Sequence, residues 1–590
     1  MHIEELSLIA VGGLVLVVAV AMLAGRISIA APLILVLVGI GIGYIPGVPL
    51  ITIDPEIILL GVLPPILYAA AVNTPVIDLR RNVGPISALS VVLVLISALV
   101  IGWLLHLAVP AIPFPAAVAL GAVVAPTDAV AATSIGKRVG MPPRLVTILE
   151  GESLVNDATS LVLLRTAIAA VAGSFVFWEA AGQFAFAVAV AILVGLAVGV
   201  VTVWVRSKIR NPVYDTVISF AVPFISFVPT EYLGASGVLA VVVTGLYSGH
   251  HAARKFSATT RINERLNWRT AQFLLENGVF LLMGLELHKL VEDVEGSDLH
   301  LNHTLLIALG VVVVLIVLRM AFMGPVTWAL ARSLPRYEAR AAGMQRFAER
   351  VRGKQKTEEP DTDSHALRLR RIELLERRTA ADAAHAREQG LDWRGATILG
   401  WSGMRGVVTL AAAQSIPTTV PYRSQLVLIA FAVAVATLLL HGLSLPALIR
   451  KLRPAGPSKD DRTEELVSLY AELVESGKAA LEAAVEQERE AAEDDPSLEP
   501  PSETVVGRVR SSIHSSVSSL AFALPPDAAQ ENGHQSDARA YLRLSRAVIE
   551  AQRATLLEER AIGQFSSSAL RAAEAALDTH EMRFTPPGGH

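Results

Sequence analysis

Apolar residues run along the chain in blocks of about 20 separated by short polar gaps, the length a helix needs to cross a hydrocarbon core. Thirteen blocks stand out, at about 6–24, 28–46, 56–72, 85–109, 112–135, 144–172, 178–205, 213–230, 234–250, 270–288, 303–330, 395–417 and 424–449. The gaps alternate in charge. Odd-numbered gaps carry Arg26; Arg80 and Arg81; Lys137, Arg138 and Arg144; Arg206, Lys208 and Arg210; then Arg254, Lys255, Arg261, Arg265 and Arg269. Even-numbered gaps such as "PAIPFP" and "FVPTEYLG" hold almost no Lys or Arg. One missed span would break this alternation. The pattern predicts an all-α membrane protein with about thirteen transmembrane helices, its N-terminus outside and its C-terminus in the cytoplasm.

Two stretches lie outside the spans. Residues 331–394 read as a basic cytoplasmic loop inserted into a transmembrane domain of residues 1–450, with "GKQKTEEPDTDS" as an unstructured piece between helical segments. Residues 451–590 read as a cytoplasmic helical tail. Its segments "TEELVSLYAELVESGKAALEAAVEQEREAAE" and "ARAYLRLSRAVIEAQRATLLEERAIGQF" have helical apolar spacing, and the Pro- and Ser-rich stretch around 495–535 reads as a linker. Neither part carries a nucleotide-binding or zinc motif.

Composition narrows the class. The 590 residues are 53% hydrophobic and only 18% charged, less charge than a soluble chain carries. A net charge of −4 gives no footprint for a nucleic-acid partner. The absence of cysteine excludes disulfides, thiol catalysis and thiolate metal sites. The start "MHIEELSLIA" has acids where a signal peptide has Lys or Arg, so the first span is expected to be retained.

Against this background the polar groups inside spans carry the information, because intramembrane ionisable residues mark ion or proton paths. The sixth span opens "ILEGESLVNDATS". Ser153 and Asp157 share one helical face, Glu152 and Asn156 the next, and Ser160 continues the first stripe. The fifth span reads "ALGAVVAPTDAVAATS". Pro126 has no N–H, so the Ala122 carbonyl loses its helical donor, and Thr127 and Asp128 follow at once. Such a break is tolerated where it lines a wet cavity, and freed carbonyls there can bind cations. The twelfth span, "ILGWSGMRGVVTLAAA", places Gly400, Gly403 and Gly406 around Arg405. Two interrupted helices in corresponding halves point to an inverted-repeat transporter with a midplane site. Arg319, alone in "LIVLRMAF", needs a buried anion, and Glu152 or Asp128 can supply it. Blander readings stand beside these. Asp128 and Asp157 also fit polar glue between helices, Glu152 with Arg319 fits a structural ion pair, and Arg405 fits either gating or compensation of half-helix dipoles. Glu276 and Asn277 read as a cavity-facing or packing pair without an assigned role.

At "PTDAV", "GESLVND" and "GWSGMRGVV" the chain resembles the sodium/proton exchangers of the first monovalent cation/proton antiporter family, bacterial branch, over about residues 5–450. The resemblance implies a homodimer whose protomers each have a dimerisation domain and a six-helix core, with the fifth and twelfth spans as crossed, discontinuous helices. It implies that Asp157 takes cation and proton by turns. Asp128, Thr127 and Ser153 would complete the Na+ site with Asn156 beside them, Glu152 and Arg319 would form the scaffold pair, and Pro126, Gly403, Arg405 and Gly406 would shape the crossing. One departure is plain. Some members carry an acid on the third span, where this chain has "LPPILYAAAVNTP". Asn73 is the polar residue available there to take over.

The reading is therefore a secondary antiporter in the cell membrane, not an enzyme. It exchanges Na+ (or Li+ or K+) for H+ and needs no cofactor beyond the transported ions and a lipid bilayer. Asn156 is neutral where related electrogenic antiporters have a second Asp, which implies one-for-one, electroneutral exchange. The rival reading is an ion-responsive sensor or channel-like protein on the same fold.

Overall fold

A computed structural model describes the chain except for residues 1–2, 28–29, 47–54, 172, 174–176, 296–299, 356–362, 389–390, 455–458, 496–499, 519–534 and 583–590. The described residues are helical throughout, with no strand. The first spans form α1 (Ile3–Ile27), α2 (Ala31–Gly43) and α3 (Leu63–Asn73), the last led in by a π-helical turn at Ile57–Val62. Two short helices, α4 (Val76–Arg81) and α5 (Val83–Ser87), then lead through another π turn into α6 (Val94–Ala108). The fifth span is split into α7 (Phe114–Val124) and α8 (Ala129–Arg138), and α9 (Pro143–Val171) is the sixth. There follow α10 (Phe177–Arg206), α11 (Pro212–Tyr232), α12 (Gly237–Lys255), α13 (Ala258–Glu295) and α14 (Leu301–Gln355). After α15 (Asp363–Glu388), the twelfth span is again split, into α16 (Trp393–Trp401) and α17 (Val407–Gln414), and α18 (Arg423–Leu452) closes the membrane part. The tail holds α19 (Lys459–Asp494), α20 (Glu503–Ser518), α21 (Gln535–Ile562) and α22 (Ser567–Met582).

Among the described residues, 7 helices are long and apolar enough to cross a membrane, with shorter apolar helices at Val11–Arg26, Ala31–Gly43 and Ile57–Asn73. The remaining apolar blocks, near 234–250, 270–288 and 395–417, fall on α12, α13 and the α16–α17 pair. Large apolar side chains face outward along α1 (Val11, Val15, Met22), α10 (Leu193, Val201, Trp204) and α14 (Leu306, Leu309, Val317). That outward apolar surface is what a hydrocarbon solvent requires.

Several boundaries differ from the hydropathy reading. α14 does not stop near 330 but runs unbroken to Gln355, through Pro325 and Pro335, because the basic segment after the span keeps strong helix formers. Arg261, Arg265 and Arg269 sit on α13 rather than in a loop. α20 falls inside the stretch read as linker. Its Ser-rich composition hid an apolar stripe of Val505, Val509 and Ile513, at helical spacing and all buried. Most of the "GKQKTEEPDTDS" segment, and 496–499 and 519–534 of the linker, lie outside the described residues.

The membrane helices pack in two groups. α3, α10, α11 and α12 pack on one another, and α6 to α9 pack with α14 and α16 to α18. α13 lies between the groups, touching α2, α3 and α11 on one side and α17 and α18 on the other. Its contact with α2 is close because both carry glycine: a Cβ at Gly39 would sit 2.9 Å from the Gly284 Cα.

The tail is docked against the membrane part. Arg261 of α13 pairs with Asp578 of α22, and Arg265 with Glu574 at 3.1 Å. Arg81 donates to Asp382 of α15 at 2.8 Å and to the Gly563 carbonyl at 2.8 Å. These are cations of the odd-numbered gaps, so those gaps and the tail share one face of the bundle.

Candidate functional site

The two interrupted spans meet inside the bundle. After α7 ends, Asp128 takes the N-cap of α8, its Oδ1 accepting from Val130 N at 2.7 Å. The Asp128 N–H turns away and donates to the Met404 carbonyl in the other break, at 2.8 Å. The backbone of Gly406 passes so near that a Cβ there would lie 2.5 Å from Asp128 Oδ2. At Gly403 a Cβ would come within 2.8 Å of both Arg319 Cδ and Arg405 Nη1. The glycines are thus needed for close approach.

A helix ending inside a membrane leaves orphan carbonyls that must find donors. Arg405 serves three carbonyls of the two breaks. Its Nε donates to Val124 O at 2.9 Å, Nη2 to Ala125 O at 3.4 Å, and Nη1 to Gly403 O. The Ala122 carbonyl that Pro126 frees accepts from Ser160 Oγ at 2.8 Å, and Ala122 is not among the residues that line the cavity described below. That donor comes from a separate helix, which spacing along the fifth span could not reveal.

Behind the break, Arg319 forks onto Glu152. Nη1 meets Oε1, Nη2 donates to Oε2 at 2.8 Å, and Nε donates to Leu399 O at 3.2 Å. Glu152 Oε1 also accepts from Thr127 Oγ1 at 2.7 Å. Asn156 Nδ2 donates to the Thr127 carbonyl at 3.1 Å and to its Oγ1 at 3.2 Å, while Asn156 Oδ1 is buried without a hydrogen-bond partner. One chain of bonds therefore runs from α16 through α14 and α9 to the break after α7.

In front of it lies a cavity of about 1090 Å³ that reaches Pro126, Thr127, Asp128, Ser153 and Asp157. Glu152, Asn156, Arg319 and Arg405 do not line it. Asp157 is 7% exposed, and no hydrogen bond or ion pair reaches its carboxylate among the described residues. Ser153 sits one turn nearer the mouth on the same face of α9. Asn73 lines the outer cavity, but its Nδ2 is engaged by the Ala69 carbonyl at 2.7 Å. The mouth is roofed by His385 of α15 and by the turn from Gly563 to Ser568 before and into α22.

A profile of the family described as sodium/hydrogen exchanger, transmembrane, matches residues 13–451. The chain belongs to that family. It is 29% identical over 456 residues to an uncharacterized Na(+)/H(+) exchanger of Mycobacterium tuberculosis (strain ATCC 25618 / H37Rv), covering 76% of this chain and 75% of the relative. It is 26% identical over 453 residues to the Na(+)/H(+) antiporter ApNhaP of Aphanothece halophytica, covering 76% and 73%. A third relative, a sodium, potassium, lithium and rubidium/H(+) antiporter of Bacillus pumilus (strain SAFR-032), is 29% identical, over 72% of this chain and 58% of its own length. In fold it is similar to the sodium proton antiporter MjNhaP1 from Methanocaldococcus jannaschii, with TM-score 0.52 and 18% identity over 75% of this chain and 99% of that one. It is thus a multi-pass membrane protein of an antiporter family.

Two features of this exchanger-family chain were incomplete in, or absent from, the sequence reading. Glu276, read with Asn277 as cavity-facing or packing, lines the cavity together with Gln272 and Phe280 of α13, whereas Asn277 does not line it and its Nδ2 donates to the Phe273 carbonyl at 2.8 Å. The signal was available as the polar positions 265, 269, 272 and 276, one face of a helix, but which neighbour that face meets is not written locally. The second is Arg206, buried at the end of α10. It forks onto Asp215 at 2.8 and 2.9 Å and reaches Glu264 at 2.6 Å. Counted along the chain, Arg206 is one more loop cation.

Proposed function

We propose that the chain exchanges a monovalent cation for a proton, one for one and electroneutrally, by alternating access, with cation and proton competing at Asp157. The observation that carries this reading is Asp157 itself, a buried carboxylate that opens on a cavity and meets no donor or cation among the described residues. Asp128, Thr127 and Ser153 supply further oxygens along that wall, and Asn156 holds Thr127 from behind. Hard monovalent cations suit an all-oxygen site of carboxylate, hydroxyl and carbonyl. The Bacillus pumilus relative is named for several alkali cations, and Na+, Li+ and K+ are the candidates here.

In this reading, Glu152 and Arg319 cancel each other and keep the crossing rigid, while Arg405 neutralises the half-helix ends. Residues 1–450 perform exchange. The 331–394 insertion and the tail, on the cytoplasmic side, tune access by roofing the cavity. The N-terminus lies outside, in the cell membrane, and the active form is a homodimer.

With one exchangeable charge, the proton-loaded and cation-loaded carriers have equal net charge. Movement of either is then nearly blind to voltage, whereas an uncompensated charge would feel about 2.3 kcal/mol per 100 mV. The test is exchange in proteoliposomes under a valinomycin-set potassium potential. A rate and reversal point that stay fixed as the potential changes support the reading. Strong voltage dependence means a second carboxylate carries protons and sinks the one-site scheme.

A further inference from the structure

Beyond Asp128 and Asp157 of the proposed exchange site, the cavity is lined by Asp78, Glu150, Glu276 and Glu465, and Glu276 is the one carried by α13. Along α13, Arg265, Arg269, Gln272, Glu276 and Phe280 all line it. Their spacing puts them on a single helix face, descending about 16 Å from Arg265 to Glu276 at the helical rise. The stripe passes from a basic rim to a buried acid and ends on an aromatic ring. Glu276 is 8% exposed, and its Oε1 accepts from Gln272 Nε2 at 2.7 Å. No arginine or lysine pairs with it among the described residues. Arg265 is drawn off towards Glu574 of the tail, and Arg269 lies about 10 Å nearer the mouth by helical rise.

The charged side chain near enough to act on Glu276 is Asp128, which also acts on Asp157. Asp128, Asp157 and Glu276 therefore line one cavity from three helices, and no arginine pairs with any of the three among the described residues. Two of them, Asp157 and Glu276, are more than nine-tenths buried, and Asp157 has no hydrogen-bond or ion-pair partner among the described residues. Their charge must be balanced from solution, by cations or protons. A purely structural role for Glu276 needs only an acceptor for Gln272, and a neutral glutamine supplies that without burying an acid. Its position is also informative. α13 and α3 form one wall of the cavity, while α8 and α9, carrying Asp128 and Asp157, form the other.

We propose that Glu276 is a cation-binding residue of the exchange path, taking the monovalent cation from the tail-side cavity and passing it across to Asp157. The inference rests on exchange at Asp157. It adds a stop on the opposite wall, supplied by a helix that lies between the two packing groups.

The test uses the full-length protein with Glu276→Gln, which keeps the size and the Gln272 contact. In proteoliposomes at fixed pH, apparent KM for Na+ on the tail face is expected to rise about tenfold, with maximal rate changed by less than roughly twofold and melting temperature unchanged. Glu276→Asp should recover part of the affinity. A direct readout is retention of 22Na+ by purified protein, with residual binding persisting in Asp157→Asn and vanishing when Glu276→Gln is added. An unchanged KM in Glu276→Gln overturns the inference, and so does a lowered melting temperature with unchanged KM. Absence of residual binding in Asp157→Asn also overturns it. Failure of the underlying exchange reading shows differently, as exchange that survives in Asp157→Asn.

Discussion

Two regions of the helical interior bury acids and treat them in opposite ways. Behind the crossing, Glu152 lies in the fork of Arg319, and at the end of α10 Asp215 and Glu264 share Arg206. In the cavity, Asp157 and Glu276 pair with no guanidinium among the described residues, although Arg405 lies in the neighbouring break with its guanidinium bonds spent on backbone carbonyls. A buried charge with a protein partner is fixed. A buried charge without one must draw its partner from solution. The same residue type is therefore architecture in one region and, in the proposed function, machinery in the other. What separates them is where the protein places its own cations.

The sharpest way to break this contrast is at Asp157. Asp157→Asn keeps the volume but can neither take a proton nor offer a full charge. Exchange should fall by at least about 100-fold, the scale of losing an essential charged group, while melting temperature holds because no protein partner is left behind. Exchange assays between pH 6 and 9 beside a thermal melt decide it. Substantial exchange, or a marked loss of stability, would place Asp157 with the fixed acids.

The paired acids should show the reverse. Removing one side of a buried pair strands the other charge at a cost of about 3–5 kcal/mol. Glu152→Gln, which also weakens the hold on Thr127, should lower melting temperature and yield more than it alters ion selectivity. Adding Arg319→Gln should recover part of that loss. Arg206→Gln should cost a similar amount without touching apparent cation affinity, since none of Arg206, Asp215 and Glu264 lines the cavity. Additive losses in the Glu152–Arg319 double-mutant cycle would dissolve the pair as a unit.

The sequence disclosed these two regions unequally. Hydropathy located the spans, and Pro126 with the Gly403 and Gly406 pair located the breaks, because such residues act on their own backbone. Arg319 stood out because it is alone in an apolar run. Arg206 did not. It ends a span where cations are expected, and its acids lie on two other helices. Glu276 was visible as a polar residue, but its facing depends on α3 and α8. The tail's docking was illegible for the same reason: Arg261 and Asp578 are 317 positions apart. Local chemistry is written locally, whereas partnership between helices requires the fold.

The roof over the cavity offers a smaller test of the same rule with the sign inverted. His385 of α15 lines the mouth beside Arg81 and Arg144, and its Nε2 is buried without a hydrogen-bond partner among the described residues. Burial, then the charges of Arg81 and Arg144, push its imidazole down to about 3 from the ordinary 6.5. It is a base among cations, as Asp157 is an acid among acids, but here protonation adds an unbalanced charge. A histidine whose folded value is depressed contributes stability that is complete above about 6.5 and lost as pH falls towards the folded value. The ceiling is about 1.4 kcal/mol for each pH unit below 6.5. Asp78, close to Ser567 of the tail, opposes this. Burial raises its carboxyl above the usual range, so it gains a proton and steadies the contact as pH falls. Acidification from pH 7.5 to 5.5 should therefore loosen α15 and the 563–568 turn by no more than about 1.4 kcal/mol, up to tenfold faster amide exchange after correction for intrinsic rates. In His385→Gln that acceleration should vanish, leaving only the opposite slope from Asp78. Equal acceleration in both proteins would show that the roof is held by its Arg–acid pairs alone and that His385 is a bystander.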